Sequence, residues 1–334
     1  MKKAILLILS VLMFAALGYS KEYVIKFATL APEGSTWLTV MDEYNKEIQQ
    51  ATNGEVKFKI YPGGVQGDEK DVLRKIRLGQ LHSAGFTGVG LGEILPEARI
   101  LDSPLLFFNH EEVDYINREL YDEFSRRFEE QGYVLIGWTE VGFVYVYGKK
   151  PVTSVEDLKG TKMWMWEGDP IAEATFNALN VSPIPLSIAD VLTSLQTNLV
   201  EAVYTSPLAA VTLQWYSRVN YMMDVPLADA AGAVLISKKM FDKLPPEYQT
   251  LLRDKGREAM QRLVKLSRKD NQEAIELMKK NGIKVVEVPA ANLAAFKKAG
   301  EEARNELAGK LYSKELLNRV ESELQEFRAG KAQK

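Results

Sequence analysis

Strand and helix signals alternate twice along this chain, and that alternation limits the available folds more than any other feature. Residues 23–29 (YVIKFAT) form a strand-like run, and Ser35 or Thr36 then caps a helix reaching Thr52. Residues 56–61 (VKFKIY) alternate, and the turn PGGVQG over 62–67 ends them. Residues 68–79 space Val72, Leu73 and Ile76 along one buried helix face, and 83–87 form a third short strand. A βαβαβ order predicts parallel strands with helices on both faces. A second α/β unit covers 155–208. It runs from a helical turn into a short strand holding Trp164 and Trp166, then a helix, a Pro-bounded strand, a second helix and a third strand ending near Tyr204.

Between and after the two units the pattern continues. A helix is expected over 111–131, strands over 133–140 and 143–147, and a strand over 234–236. Pro245, Pro246 and Glu247 open a helix that runs to Lys280, followed by a strand over 284–288 and helices to the C-terminus. Ser154 with Asp157, and Ser187 with Asp190, place a hydroxyl three residues before a carboxylate, the spacing of a capping box.

The first twenty residues stand apart. Lys2 and Lys3 precede an apolar run over 4–17, and 18–20 supply a cleavage region, the pattern of a secretory signal peptide. The run falls short of the roughly 20 apolar residues that span a bilayer. The mature chain is therefore expected to be soluble and exported, and not itself to span the membrane. There is no Cys in the 334 residues, which excludes a disulfide framework, a thiolate nucleophile and lipid attachment at a signal-peptide Cys. Without Lys2 and Lys3 the net charge moves from −3 to −5, and the cations are dispersed, which argues against nucleic acid as a partner.

Signs of catalysis are thin. His82 and His110 are the two histidines, with no Ser-His-Asp order and no HExxH helix. No loop has calcium-ligand spacing, so no metal site is assigned. The clusters GGVQGD and GVGLGE match no nucleotide fingerprint and read as turns or close backbone approaches, so no cofactor is assigned. Glu140 and Glu167 each fall near a strand end and form a candidate carboxylate pair for hydrolysis. Trp164 and Trp166, two apart on a strand, share a face and offer an aromatic wall. Trp138, Tyr204, Trp215 and Tyr216 also lie near element ends, where core packing is the alternative.

Five segments in order carry a resemblance: FATLAPEGSTW, YPGGVQGDEKDVLRKIRLGQL, LDSPLLFFNHEE, SVEDLKGTKMW and PLSIADVLTSLQTNLVEAVYTSPL. Together they resemble the DctP family of TRAP transporter solute receptors, over essentially the whole mature chain. The resemblance implies an α/β, two-lobed periplasmic-binding-protein-like fold, each lobe a mixed sheet flanked by helices, with a long interlobe helix. It implies a non-enzymatic receptor that closes over a small organic ligand and delivers it to TRAP membrane subunits. The expected organisation is a signal peptide over 1–20, lobe I over 21–141 plus 232–270, and lobe II over 142–231 plus 271–334.

Most of that family bind carboxylates through an Arg fork. Here the family's Lys-x-Arg segment reads Lys162-Met163-Trp164, and a second candidate Arg position falls near Val144. A subgroup lacking the usual Arg is expected, with a ligand that has an apolar or aromatic body. The expected ligand-binding residues are Trp164, Trp166 and Tyr204 as walls, with Glu167, Glu140 and Ser206 as polar groups. Trp37 and Phe86 are expected to close the pocket from the first lobe. One alternative keeps a carboxylate ligand and pairs it with a cation such as Lys26 or Arg99. Another is an exported hydrolase using Glu140 and Glu167. A third is a scaffold protein with an empty pocket.

Overall fold

A computed structural model describes residues 21–332 of the chain. The proposed signal peptide lies outside the described residues. Among the described residues no helix is long and apolar enough to cross a membrane.

The first unit forms as its sequence pattern dictates. Strand β1 (Tyr23–Ala28) leads to α1 (Thr36–Ala51), whose N-cap Ser35 accepts from Leu38 N. Strand β2 (Val56–Tyr61), α2 (Glu69–Arg77) and β3 (Ser83–Thr87) follow. Both β2 and β3 pair parallel to β1. The PGGVQG turn holds Gly63, Gly64 and Gly67 at positive φ, which side chains resist. The second glycine cluster is a short helix, α3 (Gly88–Gly92), and its glycines serve close approach instead. A Cβ on Gly90 would sit 2.6 Å from a Glu69 carboxylate oxygen.

Helix α4 (His110–Glu130) precedes β4 (Tyr133–Gly148), one strand of 16 residues where two were expected. Its register slips between Glu140 and Gly142, a bulge that kinks the strand without ending it. Gly142 has φ +110° there, and a Cβ on it would meet the Asn271 amide at 2.5 Å. The second unit comprises β5 (Trp164–Trp166), α5 (Pro170–Ala178), β6 (Ile184–Leu186), α6 (Val191–Gln196), β7 (Ala202–Thr205) and α7 (Pro207–Thr212). Then come β8 (Tyr221–Met223), β9 (Ala228–Ser237), α8 (Lys238–Phe241), α9 (Pro246–Lys280) and β10 (Lys284–Val286), with α10 (Ala290–Leu307) and α11 (Lys314–Ala332) last.

Strand β9 is longer than the 234–236 expected and lies antiparallel between β3 and β4, so the sheet is mixed. The strand order is β10-β8-β4-β9-β3-β1-β2, with β7 also on β4 and a separate parallel pair β5-β6. Strand β4 joins two halves of the architecture: it pairs with β9 from Tyr133 through the kink to Val144, and its last residues, from Tyr145, pair with β7 and β8. Helix α9, roughly 50 Å long at 1.5 Å per residue, crosses the same junction. Its Asn271 donates to Val141 O at 2.9 Å and accepts from Leu208 N at 2.8 Å, tying strand kink, helix and α7 together.

One core layer packs β3, β4 and β9 against α4, and another packs their opposite faces with β1 and β2 against α1 and α9. Trp138 belongs to the first layer, edge-on to Phe124 and Phe128, so it is a core residue. Leu316, Leu317, Val320 and Leu324 of α11 bury in that same layer, and Arg328 pairs with Glu112 of α4 at 2.8 Å. The second half has its own cores around Phe176 and Trp215.

Candidate functional site

The carboxyl ends of β1 and β3 face the aromatic strand β5 and the end of β7 across a cleft. Open α/β sheets bind ligands at such strand ends. A cavity of about 250 Å³ lies there. Thr29, Trp37 and Phe86 line it from the first half, Trp164, Trp166 and Tyr204 from the second, and Val141 with Val144 from the strand kink. A more polar recess of about 630 Å³ lies beside His82, at the amino ends of β3 and β4.

The aromatic wall has a defined build. Trp164 is 2 % exposed; its ring stacks on Tyr204 at 5.0 Å and meets Trp215 edge-on at 5.0 Å. Its Nε1 donates to Leu186 O on the neighbouring strand at 3.1 Å, which leaves the indole no unpaired donor. Trp166 lies 6.3 Å from Trp164, centroid to centroid, and its backbone N donates to the Tyr204 hydroxyl at 3.2 Å. The side chain of Trp166 then crosses the cleft: Nε1 donates to Asp68 Oδ2 at 3.1 Å. Ser187 Oγ donates to the same oxygen at 3.4 Å. The expected Ser187–Asp190 capping box therefore does not form, because the hydroxyl is engaged by Asp68. The Ser154–Asp157 box does form, with Asp157 accepting from Thr153 N and Ser154 N.

Ser206 lines the cavity from the start of α7, where its hydroxyl accepts from Ala209 N as the N-cap. Trp37 and Phe86 also line it. Two expected polar residues do not. Glu167 is exposed in the turn after β5, where Gly168 has φ +75°. Glu140 is buried beside the strand kink and takes bidentate hydrogen bonds from Arg268 of α9, at 2.6 Å and 3.0 Å to the same oxygen. Neither carboxylate is among the lining residues, so the candidate hydrolytic pair is not assembled in the cavity.

The structure supplies other charged groups instead. Arg99, in the turn after α3, lines the cavity and is 4 % exposed. Its Nε donates to Asp102 Oδ2 at 2.7 Å and its Nη2 to Asp169 Oδ1 at 2.8 Å. Burial alone would lower its pKa, but Asp169 and Asp102 more than offset that and hold the guanidinium charged. A cation considered for the carboxylate alternative is thus present in the cleft, and two carboxylates already bind it. Lys26, the other cation considered, lies outside the lining.

Asp102 also accepts from Ala231 N at 2.7 Å, and burial pushes its pKa up to about 6 despite Arg99. Asp169 doubles as N-cap of α5, accepting from Ile171 N. Glu69 accepts from Thr87 N and Gly90 N at 2.7 Å and 2.6 Å, and burial raises its pKa to about 8 against the pull of those donors. Asp229 is 1 % exposed, and burial followed by repulsion from Glu140 and Asp102 raises its pKa well above the carboxylate range. The site is aromatic and carries four acidic side chains, Glu69, Asp102, Asp169 and Asp229, against one Arg. The motif analysis missed these acids because each reaches the cavity through tertiary contacts. Only Arg99 and Asp102, three apart in one turn, gave a local hint.

Comparisons with known proteins agree with the fold. The chain is 27% identical over 250 residues to the 2,3-diketo-L-gulonate-binding periplasmic protein of Escherichia coli, covering 73% of this chain and 75% of that one. It superposes with TM-score 0.85 on a TRAP periplasmic solute binding protein from Desulfovibrio salexigens with bound orotic acid, at 21% identity, over 91% of this chain and 99% of that one. It superposes equally well, TM-score 0.85 at 19% identity, on the sugar acid binding protein of Advenella mimigardefordensis in complex with galactonate, over 92% and 99% of the two chains. The profile of the DctP family, bacterial extracellular solute-binding protein, family 7, matches residues 27–310, and the chain belongs to that family.

Proposed function

We propose that the aromatic cleft is the solute site of a periplasmic receptor serving a TRAP-type transporter. As a family member, the chain captures a small organic solute between two lobes and delivers it to the membrane subunits. Its relatives named above take a diketo sugar acid, orotic acid and galactonate. This chain's site differs in its walls, and its ligand has an apolar or aromatic body. Trp164, Trp166 and Tyr204 form one wall, Trp37 and Phe86 the opposing one, and Ser206 a polar end. The observation that carries this reading is the composition of the cavity: four of the chain's five tryptophans line it.

The protein works without catalysis. A hydrolytic pair would need Glu140 and Glu167 in the cavity, and one is bound by Arg268 while the other is exposed. The lobes meet where β4 kinks, so lobe I takes 21–141 and 232–270 and lobe II takes 142–231 with the residues from 271. Helix α11 is the exception; its burial against α4 favours lobe I. Residues 1–20 act as a cleaved export signal.

Tryptophan fluorescence tests this function. Titration of the mature chain with D-glucuronate, orotate, and neutral and basic organic solutes should give a saturable 1:1 change with at least one of them. Small-angle scattering should show compaction at saturation. No change in emission or dimensions with any solute would overturn the reading.

A further inference from the structure

Given that this cavity is the solute site, the charges around it constrain what it holds. Glu69, Asp102, Asp169 and Asp229 line it with Arg99, and neither Lys nor His does so among the described residues. Arg99 gives Nε to Asp102 and Nη2 to Asp169, and these two acids more than balance its charge, so an incoming carboxylate meets no net positive charge there.

Asp229 is the acid with neither a cation nor backbone donors: Asp102 and Asp169 pair with Arg99, and Glu69 accepts from Thr87 N and Gly90 N. It lies at the start of β9, 1 % exposed, and its Oδ1 has no hydrogen-bond partner among the described residues. Glu140 and His110 approach within 4.8 Å, but Arg268 is committed to Glu140 and Asp114. Buried polar atoms are rarely left unpaired. The rest of the lining is largely apolar and includes Trp37, Phe86, Trp164, Trp166 and Tyr204, and aromatic rings attract organic cations through the ring quadrupole. A bare metal ion at His110, Glu140 and Asp229 would have to compete with Arg268 for Glu140.

We infer that the receptor takes a small organic amine, with its ammonium group at Asp229 and its apolar body against Trp164, Trp166 and Tyr204. The ammonium offers Asp229 both a proton donor and a compensating charge. Asp102 and Asp169, paired with Arg99, leave no net positive charge for the organic anions that its relatives bind.

Thermal-shift assays of the mature chain with matched probes test this. The probes are 2-phenylethylamine against 3-phenylpropionate, and n-pentylamine against hexanoate, with ZnCl2 and CaCl2 as metal controls. The amines should raise the melting temperature and their carboxylate counterparts should not. Asp229→Asn, which keeps the shape, should weaken 2-phenylethylamine binding about tenfold or more. Stabilisation by the carboxylates or a metal salt, but not by the amines, would overturn the amine assignment and leave a receptor site in place. Unchanged amine binding in Asp229→Asn would also overturn it. No response to any probe, together with no small molecule co-purifying in native mass spectrometry, would overturn both the assignment and the receptor reading.

Discussion

Arg99 and Asp169 meet across the cleft, Nη2 to Oδ1 at 2.8 Å, each about 4 % to 8 % exposed at the side chain. The contact joins the turn after α3 to the cap of α5, so one ion pair links the two sides of the cavity. Because it is buried, its components cannot be removed singly at low cost. Arg99→Met leaves Asp102 and Asp169 buried without a cation and is expected to cost about 3–5 kcal/mol. Urea unfolding of the variant measures this; a loss below about 1 kcal/mol would mean the pair is solvated in solution.

A second link is Asp68, which receives Trp166 Nε1 and Ser187 Oγ. Trp166→Phe and Ser187→Ala each remove one donor while Asp68 keeps its place as N-cap of α2. Each should shift the balance toward an open form by about 0.5–1.5 kcal/mol. Small-angle scattering of the unliganded protein should report a larger radius of gyration for the double variant. Identical scattering curves would show that these bonds do not hold the lobes together.

Trp164 and Trp166 differ in what they support. Trp164 is buried among Tyr204, Trp215 and Trp166, so Trp164→Ala should cost about 3–5 kcal/mol of stability. Trp166 is half-buried, so Trp166→Ala should cost less stability and act mainly on solute affinity. Paired denaturation and binding curves separate the two; equal stability losses would contradict this division.

Burial of Glu69 gives a pH dependence. Its pKa is raised to about 8 from an ordinary 4.5, so the folded chain holds that proton more tightly than the unfolded one. The contribution is fully present below about pH 4.5 and is lost as pH rises through about 8. Stability should therefore fall across that window, and Glu69→Gln should flatten that part of the profile. Thermal melts between pH 4.5 and 8.5 check it; an identical slope in Glu69→Gln would assign the dependence elsewhere.

Much of the fold was legible because its signals are local. Strands β2 and β3 fall at the positions expected, and α9 starts one residue after Pro245. The single strand β4 read as two because the kink at Gly142 interrupts the alternation without breaking the pairing. The juxtaposition of Trp164 and Trp166 was legible because they share a three-residue strand. The acids were not, because their roles depend on distant partners. Asp169 meets Arg99 70 residues away, and Ser187 meets Asp68 119 residues away. Glu140 and Glu167 misled for the same reason: strand-end position alone does not say whether a side chain faces the cleft, Arg268 or solvent.

The most direct test of a capturing, non-catalytic cleft is native mass spectrometry of the mature chain purified under gentle conditions. One small organic molecule per chain, released on denaturation, unaltered by prolonged incubation and lost in Trp166→Ala, is the predicted result. A bare chain that acquires no adduct from any organic solute, or a bound molecule that is chemically converted with time, would contradict it.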